Sequence, residues 1–351
     1  MIGERIRMAR RAAGLSQQAL GDEAGVSKMS VSKYERGEMT PGSAMLGRIA
    51  DATGMRADYF LRPVTFVLSA PYYRSTSSMP AKSKGVVEEA VREWLDRYVE
   101  AEMLLDAGIP FSLDGVDRDV GSLDDVESVA SELRAAWDLG DDPIPNVVRV
   151  LEDRGVKMGV TDGHDTFDAL TFWIDDVAPV VAVKIGVPGD RERFSICHEL
   201  GHIVARPTPE LNAEKVANRF AGAFLVPAGV VRRELGQRRH TLDLRELYEL
   251  KHEYGMSMLA WVHRAADLGV IGPGEATRLH KHFGKNGWRT TEPGRPVPFE
   301  QPSRLELLVL RSAAEGAIGD ARAAELLSMT LREFRHWRLE SWRDAAEPVC
   351  S

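Results

Sequence analysis

Cysteine is almost absent from this chain: its 351 residues contain two, Cys197 and Cys350. Two thiols exclude a disulfide framework, and their scarcity favours a reducing compartment. The chain also lacks an apolar run long enough to cross a bilayer, and no apolar segment follows its N-terminal arginines, so neither a transmembrane helix nor a signal peptide is indicated. We therefore expect a cytoplasmic protein without membrane contacts.

Excess positive charge is missing from most of the chain. The formal net charge of −8 argues against a protein that coats nucleic acid along its whole surface. The charge is unevenly spread, because residues 1–62 carry 10 Lys and Arg against 7 Asp and Glu, whereas the remainder carries 35 against 46. A mildly basic N-terminal segment on an acidic body predicts one local nucleic-acid contact.

Composition and periodicity divide the chain into five segments. Residues 1–62 and 305–351 have helical spacing, and residues 63–85 and 284–304 are rich in Pro, Gly or Ser, which is typical of linkers. Residues 86–283 combine helices with three stretches typical of strands, VKMGVTD, DALTFWID and PVVAVKIG. The predicted fold class is α+β: an all-α five-helix N-terminal domain, a mainly helical domain with a small β-sheet, and a helical C-terminal module.

The stretch LSQQALGDEAGVSKMSVSKYERGEMTP, residues 15–41, has the layout of two helices joined by a tight turn. Ser16 and Ser27 suit the N-caps of helices over 17–24 and 28–36, and Gly25 suits the turn. A helical hairpin that contacts only proteins is the alternative. The side chains expected to face DNA, with Gln17 over phosphates and the rest towards a major groove, are Gln17, Lys28, Met29, Ser30, Ser32 and Lys33.

This stretch resembles the Cro/cI-type (XRE) helix-turn-helix family, and the flanking helices complete the five-helix domain of that family. The resemblance implies a double-stranded DNA operator as partner. It also implies a possible homodimer, because such modules usually read paired half-sites.

A second motif is RFSICHELGHIVARP, residues 193–207. On a helix, His198 and His202 lie on one face, and neutral imidazoles at that spacing suit zinc. Glu199 borders the same cavity and could serve as general base and acid for a water whose pKa zinc lowers to about 7. Gly201 costs a helix about 1 kcal/mol relative to alanine, which indicates a close approach to its backbone. A buried helix with two incidental histidines is the alternative.

A catalytic zinc usually takes a third protein ligand. The next predicted helix, from about Pro209 to Leu225, offers Glu214, and small residues along it would allow it to pack closely on the first helix. Glu210 is the competing ligand. A solvated carboxylate at a helix start is the non-functional interpretation of Glu214.

The blocks RFSICHELGH, EKVANRFAGAFLVP and GMSMLAWVHRAADLGVI resemble the three signature blocks of the ImmA/IrrE family of zinc metallopeptidases. YYRS at 72–75 resembles longer members that carry an XRE module in front. The resemblance implies one zinc ion bound by His198, His202 and Glu214, with Glu199 as general base. It further implies a protein substrate, typically a repressor or antitoxin cleaved in a stress or mobile-element response.

Four further residues are weaker candidates. His263 and Arg264 lie in the third block and could stabilise an oxyanion in the transition state, with structural roles as the alternative; His240 and Asp168 are candidates of the same kind. Cys197 stands where the family usually has a small apolar residue. It is either a redox-sensitive neighbour of the metal or, as we favour, a small buried hydrophobe.

The C-terminal module contains EGAIGDARAAELLSMTLREFRHWRLESW, residues 315–342, which faintly resembles a second helix-turn-helix. A dimerisation or docking module with Phe334 and Trp337 buried is favoured instead.

The predicted function is a DNA-binding transcriptional regulator with a zinc-dependent endopeptidase domain. A non-proteolytic regulator or antitoxin, whose zinc is a structural clamp or sensor, is the alternative. Glu199 favours the enzyme, because a clamp would not need it. A zinc hydrolase acting on small molecules is disfavoured by the DNA-binding module.

Overall fold

The computed structural model describes residues 2–61, 66–69, 81–161 and 168–340. Most of the predicted linker 63–85, the YYRS stretch and Cys350 lie outside these residues. The chain divides into two compact units, of which the first comprises Met1–Leu68, Met79–Ile109 and Pro302–Ser351, and the second comprises Ser69–Ser78 and Pro110–Gln301. Within the described residues, no helix is long and apolar enough to cross a membrane.

The first unit begins with five short helices, as predicted. They are α1 (Ile2–Ala12), α2 (Gln17–Ala24), α3 (Lys28–Glu35), α4 (Ser43–Thr53) and a 3-10 helix (Ala57–Leu61). Their apolar faces meet in one core whose fully buried members include Ile6, Leu20, Val31, Ile49 and Phe60.

The turn between α2 and α3 is built as the sequence predicts. Ser16 Oγ accepts a 3.0 Å hydrogen bond from the Ala19 amide, and Ser27 Oγ accepts one of 3.1 Å from the Ser30 amide. Gly25 has φ +71°, a conformation that favours glycine. These caps fix the angle at which α3 leaves the turn.

Helix α5 (Ala81–Leu105) differs from the prediction in its start and in the domain to which it belongs. It was expected from about residue 86 as the first helix of the second domain. Instead it packs against α1, where Arg5 forms an ion pair with Asp96, and it belongs to the first unit.

The second unit contains two small sheets. In the first, β2 (Lys157–Thr161), β4 (Ala178–Lys184) and β3 (Ala169–Ile174) lie in that order; β4 is parallel to β2 and antiparallel to β3. All three were predicted. The second sheet pairs β1 (Asp119–Val120) in parallel with β5 (Arg206–Pro207) and was not predicted, because two-residue strands show no alternating pattern.

Eight helices accompany these sheets among the described residues of this unit. They are α6 (Asp125–Ala136), α7 (Val147–Asp153), α8 (Gly189–Val204), α9 (Ala213–Leu225), α10 (Ala228–Leu235), α11 (Leu244–Tyr254), α12 (Met258–Asp267) and α13 (Pro273–Lys285). Helix α9 begins later than expected because Asn212 caps it, its Oδ1 accepting a 3.0 Å hydrogen bond from the Lys215 amide. Neither α10 nor α13 was predicted.

Helices α8 and α9 pack at very close range. A Cβ on Gly201 would lie 3.0 Å from the Cα of Ala217 and 3.2 Å from side-chain atoms of Phe220. The close approach predicted from Gly201 is therefore made by the neighbouring helix. It brings the start of α9 beside the second half of α8.

Residues 286–301, which we name the strap, were predicted as part of a linker but pack into the second unit. A Cβ on Gly189 would lie 2.0 Å from the carbonyl oxygen of Pro298, so the strap passes directly over the start of α8. Glu300 Oε2 accepts hydrogen bonds of 2.7 and 3.0 Å from the amides of Val147 and Val148. A Pro/Gly-rich composition reports backbone conformation and not exposure, which is why the prediction missed this packing.

The C-terminal helices are α14 (Arg304–Ala314), α15 (Asp320–Leu326) and α16 (Leu331–Glu340). They pack with the end of α5 around Ala101, Leu308 and Phe334. Phe334 is fully buried as expected, and Trp337 is partly buried against the same cluster.

Candidate metal centre and DNA-binding surface

The predicted ligand residues converge in the second unit. The Nε2 atoms of His198 and His202 lie 3.1 Å apart, and the Glu214 oxygens lie 3.3 Å from the first and 3.5 Å from the second. Ligand atoms of all three residues fall within 4.8 Å of one another. Glu210 is exposed and does not belong to this group.

Asn218 orients one of the histidines. Its Oδ1 lies 3.1 Å from His198 Nδ1, and an amide oxygen can only accept, so Nδ1 carries the proton and Nε2 presents its lone pair to the group. Burial lowers the pKa of His198 against the opposing effects of Glu214 and Asn218, which favours the neutral imidazole. The orienting role of Asn218 was not predicted, although its position four residues after Glu214 puts both on one face of α9.

Glu199 is buried beside the ligands, with its side chain anchored to the sheet. Thr171 Oγ1 on β3 donates a 2.6 Å hydrogen bond to Glu199 Oε2. Burial raises the pKa of Glu199 to about 8, with a smaller contribution from the Glu214 charge and an opposing one from Thr171. A cation held by the three neighbouring ligands would lower this pKa, because an opposite charge favours the carboxylate. Thr171 was not identified from the sequence, since its role depends on how β3 packs against α8.

Two clefts open at the ligand group. His198, Glu199 and Glu214 line the larger one, of about 980 Å³, whose wall includes strap residues from Trp288 to Pro296. His202 lines the smaller one, of about 500 Å³, together with Thr171 and Trp173 of β3. The group is therefore accessible from two directions.

Arg264 and His263 both line the larger cleft. The Arg264 guanidinium is buried and bound at both terminal nitrogens by the Glu127 carboxylate, and its Nε donates a 3.1 Å hydrogen bond to the Val226 carbonyl. This pairing gives Arg264 a structural role between α6 and α12. His263 stacks edge-on with His280, with ring centroids 4.3 Å apart. Their stabilisation of a transition state remains a prediction.

The other three candidates, Cys197, Asp168 and His240, differ in burial and in their contacts. Cys197 is fully buried in the core, and burial raises the pKa of its thiol to about 12, so it fits the favoured role of a small hydrophobe. Asp168 lines the larger cleft but is paired with Arg191 at 2.6 Å. His240 is exposed and lines neither cleft.

On the first unit, α3 presents the predicted face to solvent. Lys28, Met29 and Lys33 are exposed, and Ser30 and Ser32 are partly exposed. Met29 leaves 68% of its surface accessible.

Beneath this face lies the carboxylate of Glu35. It pairs with Arg10 at 2.5 Å and accepts a 2.8 Å hydrogen bond from the Gln17 side-chain amide. The Gln17 side chain, which was expected over phosphates, is therefore held at the start of α2 by Glu35 at the end of α3. The basic groups that remain exposed on the face are Lys28 and Lys33.

Comparison with known proteins supports both resemblances. Residues 6–60 match the family described as helix-turn-helix, and residues 153–266 match the family described as IrrE N-terminal-like domain. No solved structure matches the chain.

Two curated relatives match short parts of the chain. An uncharacterized HTH-type transcriptional regulator, y4aM, from Sinorhizobium fredii is 42% identical over 59 residues, which are 17% of this chain and 41% of that protein. The SPbeta prophage-derived uncharacterized HTH-type transcriptional regulator YonR from Bacillus subtilis is 32% identical over 62 residues, 18% of this chain and 57% of that protein. The chain thus spans about half the length of these relatives.

The helix-turn-helix match contains α2–α4 and most of α1, and the second match contains the ligand helices α8 and α9. The two resemblances inferred from the motifs are confirmed: residues 6–60 are similar to the helix-turn-helix family and residues 153–266 to the IrrE N-terminal-like family.

Proposed function

We propose that this chain is a DNA-binding transcriptional regulator whose second unit is a zinc-dependent endopeptidase. The observation that carries the proposal is the convergence of His198, His202 and Glu214 beside the buried carboxyl group of Glu199. Two imidazoles and one carboxylate form a donor set that catalytic zinc uses.

The residues fit the metal in a second respect. Glu214 Oε1 is buried and has no hydrogen-bond partner among the described residues, although it lies 3.5 Å from His202 Nε2. A buried carboxylate oxygen without a partner is costly, and a cation would satisfy it. Zinc held there supplies Lewis acidity that polarises a peptide carbonyl and acidifies water.

The chain's own groups then have distinct tasks. Glu199 would take a proton from the attacking water and deliver it to the nitrogen of the departing amine, so that the peptide bond is replaced by a carboxylate and a free amine. Thr171 positions that carboxyl group. The two clefts would receive the peptide segments on either side of the scissile bond.

The substrate that best accounts for the pairing of domains is a protein bound at or near the same operator, such as a repressor or an antitoxin. Binding to DNA would bring the peptidase to its target and raise the effective concentration of that target without new contacts. The protein would then act in the cytoplasm with its operator, and paired half-sites would suit a homodimer.

A regulator whose metal is a clamp or sensor is the second candidate. The pairing of Arg264 with Glu127 favours it, because that guanidinium group is already bound within the fold. Glu199 favours the enzyme. A clamp gains nothing from a carboxyl group buried next to its ligands, and burying one costs free energy.

The test compares wild type with Glu199→Gln, each loaded with zinc and expressed beside the repressor or antitoxin encoded nearest to it. A discrete cleavage product seen only with wild type supports the peptidase. Zinc content and the thermal unfolding temperature should match in the two proteins, which shows that the substitution removed chemistry and not structure. No product from either protein, with zinc bound in both, would favour the clamp.

A further inference from the structure

We infer that Arg118 and Arg206 form an anion-binding subsite beside the candidate metal centre, which selects a peptide carrying a carboxylate near the scissile bond. The inference rests on the proposed peptidase function. It concerns the smaller cleft, and it assigns a specificity role to two residues outside the motif helices.

The second, two-stranded sheet brings the arginines together. Asp119 on β1 pairs in register with Arg206 on β5, and the Arg206 amide donates a 2.7 Å hydrogen bond to the Arg118 carbonyl. Both arginines line the cleft that His202 and Thr171 also line. Strands of two residues contribute little stability. Their main effect is to place the two arginines side by side at this cleft.

Arg118 is fixed close to the ligand helix. Its Nε donates a 2.8 Å hydrogen bond to the Val204 carbonyl, and its Nη2 donates one of 2.7 Å to the Ile203 carbonyl. These carbonyls directly follow His202 at the end of α8. The guanidinium group is thus held rigidly within one helical turn of a metal ligand.

Within the part of the chain that the structure describes, no carboxylate forms an ion pair with Arg118 or Arg206, whereas most other arginines of the second unit do form one. Burial and the neighbouring Arg206 charge lower the pKa of Arg118, against a smaller opposing effect of Asp119. Two adjacent cations in a cleft favour an anionic ligand.

A carboxylate is the anion that peptides supply, and guanidinium groups bind it with paired hydrogen bonds. Two sources share this chemistry: the side chain of Asp or Glu, and a free C-terminal carboxylate. The surrounding Pro207, Pro209 and Trp173 would contact the apolar parts of the same peptide segment.

The experiment measures binding separately from cleavage. Four rhodamine-labelled octapeptides of Gly and Ala are used. The first has a central Glu and an amidated C-terminus, the second has uncharged side chains and a free C-terminal carboxylate, the third is neutral with an amidated C-terminus, and the fourth has a central Lys and an amidated C-terminus. Fluorescence anisotropy with zinc-loaded full-length Glu199→Gln protein gives the affinity for each peptide without hydrolysis.

We expect at least one of the two peptides with a carboxylate to bind about tenfold more tightly than the neutral one, the advantage of a charge-assisted hydrogen bond. The identity of that peptide distinguishes a side-chain from a C-terminal carboxylate. Adding Arg206→Gln should reduce the advantage to less than about threefold, and Arg206→Glu should reverse the preference towards a peptide with a central Lys. Arg232→Gln, at an exposed arginine of α10 outside both clefts, is the matched control and should change nothing.

Equal affinity for the neutral peptide and the two peptides with a carboxylate, or an advantage that persists in Arg118→Gln/Arg206→Gln, would overturn the inference. Substitution of the Arg206 side chain leaves the hydrogen bonds of Arg118 to the end of α8 intact. The Arg206 variants therefore remain informative if Arg118→Gln fails to fold. Binding that depends on charge without any cleavage by the Glu199-containing protein would overturn the peptidase and leave the subsite standing. Cleavage without a charge preference would support the peptidase and overturn the subsite.

Discussion

The hydroxyl group of Thr171 on β3 donates a 2.6 Å hydrogen bond to the carboxyl group of Glu199 on α8. The proposed acid and base is therefore held by the sheet as well as by its own helix. Its position depends on the packing between β3 and α8, which bury Thr171 and Glu199 together.

Thr171→Val should lower the rate of peptide hydrolysis by about tenfold or more at neutral pH with little change in zinc content, because it removes a hydrogen bond to an ionisable group. The hydrogen bond lowers the pKa of Glu199, so its loss should raise that pKa and move the acidic limb of the pH–rate profile to higher pH. Thr171→Ser keeps the hydroxyl group and should retain most of the rate. An unchanged pH profile in the valine variant would mean that Thr171 does not act through Glu199.

Glu214→Ala should lose bound zinc, whereas Glu210→Ala should retain it. The two carboxylates lie four residues apart, but the first lies 3.3 and 3.5 Å from the histidines and the second is exposed. Zinc stoichiometry by atomic emission after gel filtration measures both. Full occupancy in the Glu214 variant would remove that residue from the ligand set.

Gly201→Ala should destabilise the protein by about 1–3 kcal/mol and weaken zinc binding, because the new Cβ meets the backbone of α9 and must displace Glu214 with it. Gly229→Ala on α10 is the matched control, since a Cβ there meets nothing within 4 Å. It should be neutral or stabilising by up to about 1 kcal/mol. Chemical denaturation and zinc titration of the two variants measure the difference, and equal effects would contradict the close helix contact.

Glu192→Gln should flatten the pH dependence of stability. Burial raises the pKa of Glu192 to about 8, above its ordinary value of 4.5, against a hydrogen bond from the Glu300 amide. A raised folded-state pKa gives a contribution that is complete below 4.5 and is lost as pH rises towards 8. The wild type should therefore lose stability on the order of a few kcal/mol across that interval, relative to the variant. Urea denaturation at several pH values measures the free energy of unfolding of both proteins. The same pH dependence in wild type and variant would contradict the prediction.

Lys33→Gln should weaken operator binding by the full-length protein and reduce the slope of log affinity against log salt by about one, if this exposed lysine neutralises one phosphate. Lys215→Gln, a lysine of the second unit, is the control and should leave the slope unchanged. A Lys33 variant that loses affinity only for the operator and keeps its slope would instead place Lys33 on a base edge.

The sequence was sufficient to predict the features encoded by local chemistry. Ser16, Ser27 and Gly25 predict the helix-turn-helix because caps and turns depend on neighbouring residues. His198 and His202 share a helix face by spacing alone. The residues left both Glu214 and Glu210 open as the third ligand, and only the resemblance to the ImmA/IrrE family favoured Glu214.

The sequence was insufficient where a role depends on distant partners. Thr171, Asn218 and Arg118 act through contacts with other elements, and nothing in their immediate neighbours distinguishes them. The pairing of Arg264 with Glu127 could not be predicted either, because the two residues are far apart along the chain and meet only when α6 and α12 pack.

The strap has a consequence for the order in which the protein matures. Arg193 near the start of α8 forms a buried ion pair with Glu300, and a buried cation without its partner is strongly unfavourable. The start of α8, the helix that carries both histidines, therefore lacks this ion pair until residue 300 has been synthesised. The residues of the α1–α4 core are synthesised earlier. A growing chain would thus complete the core of its proposed DNA-binding domain before the helix that carries the candidate metal ligands is held in place.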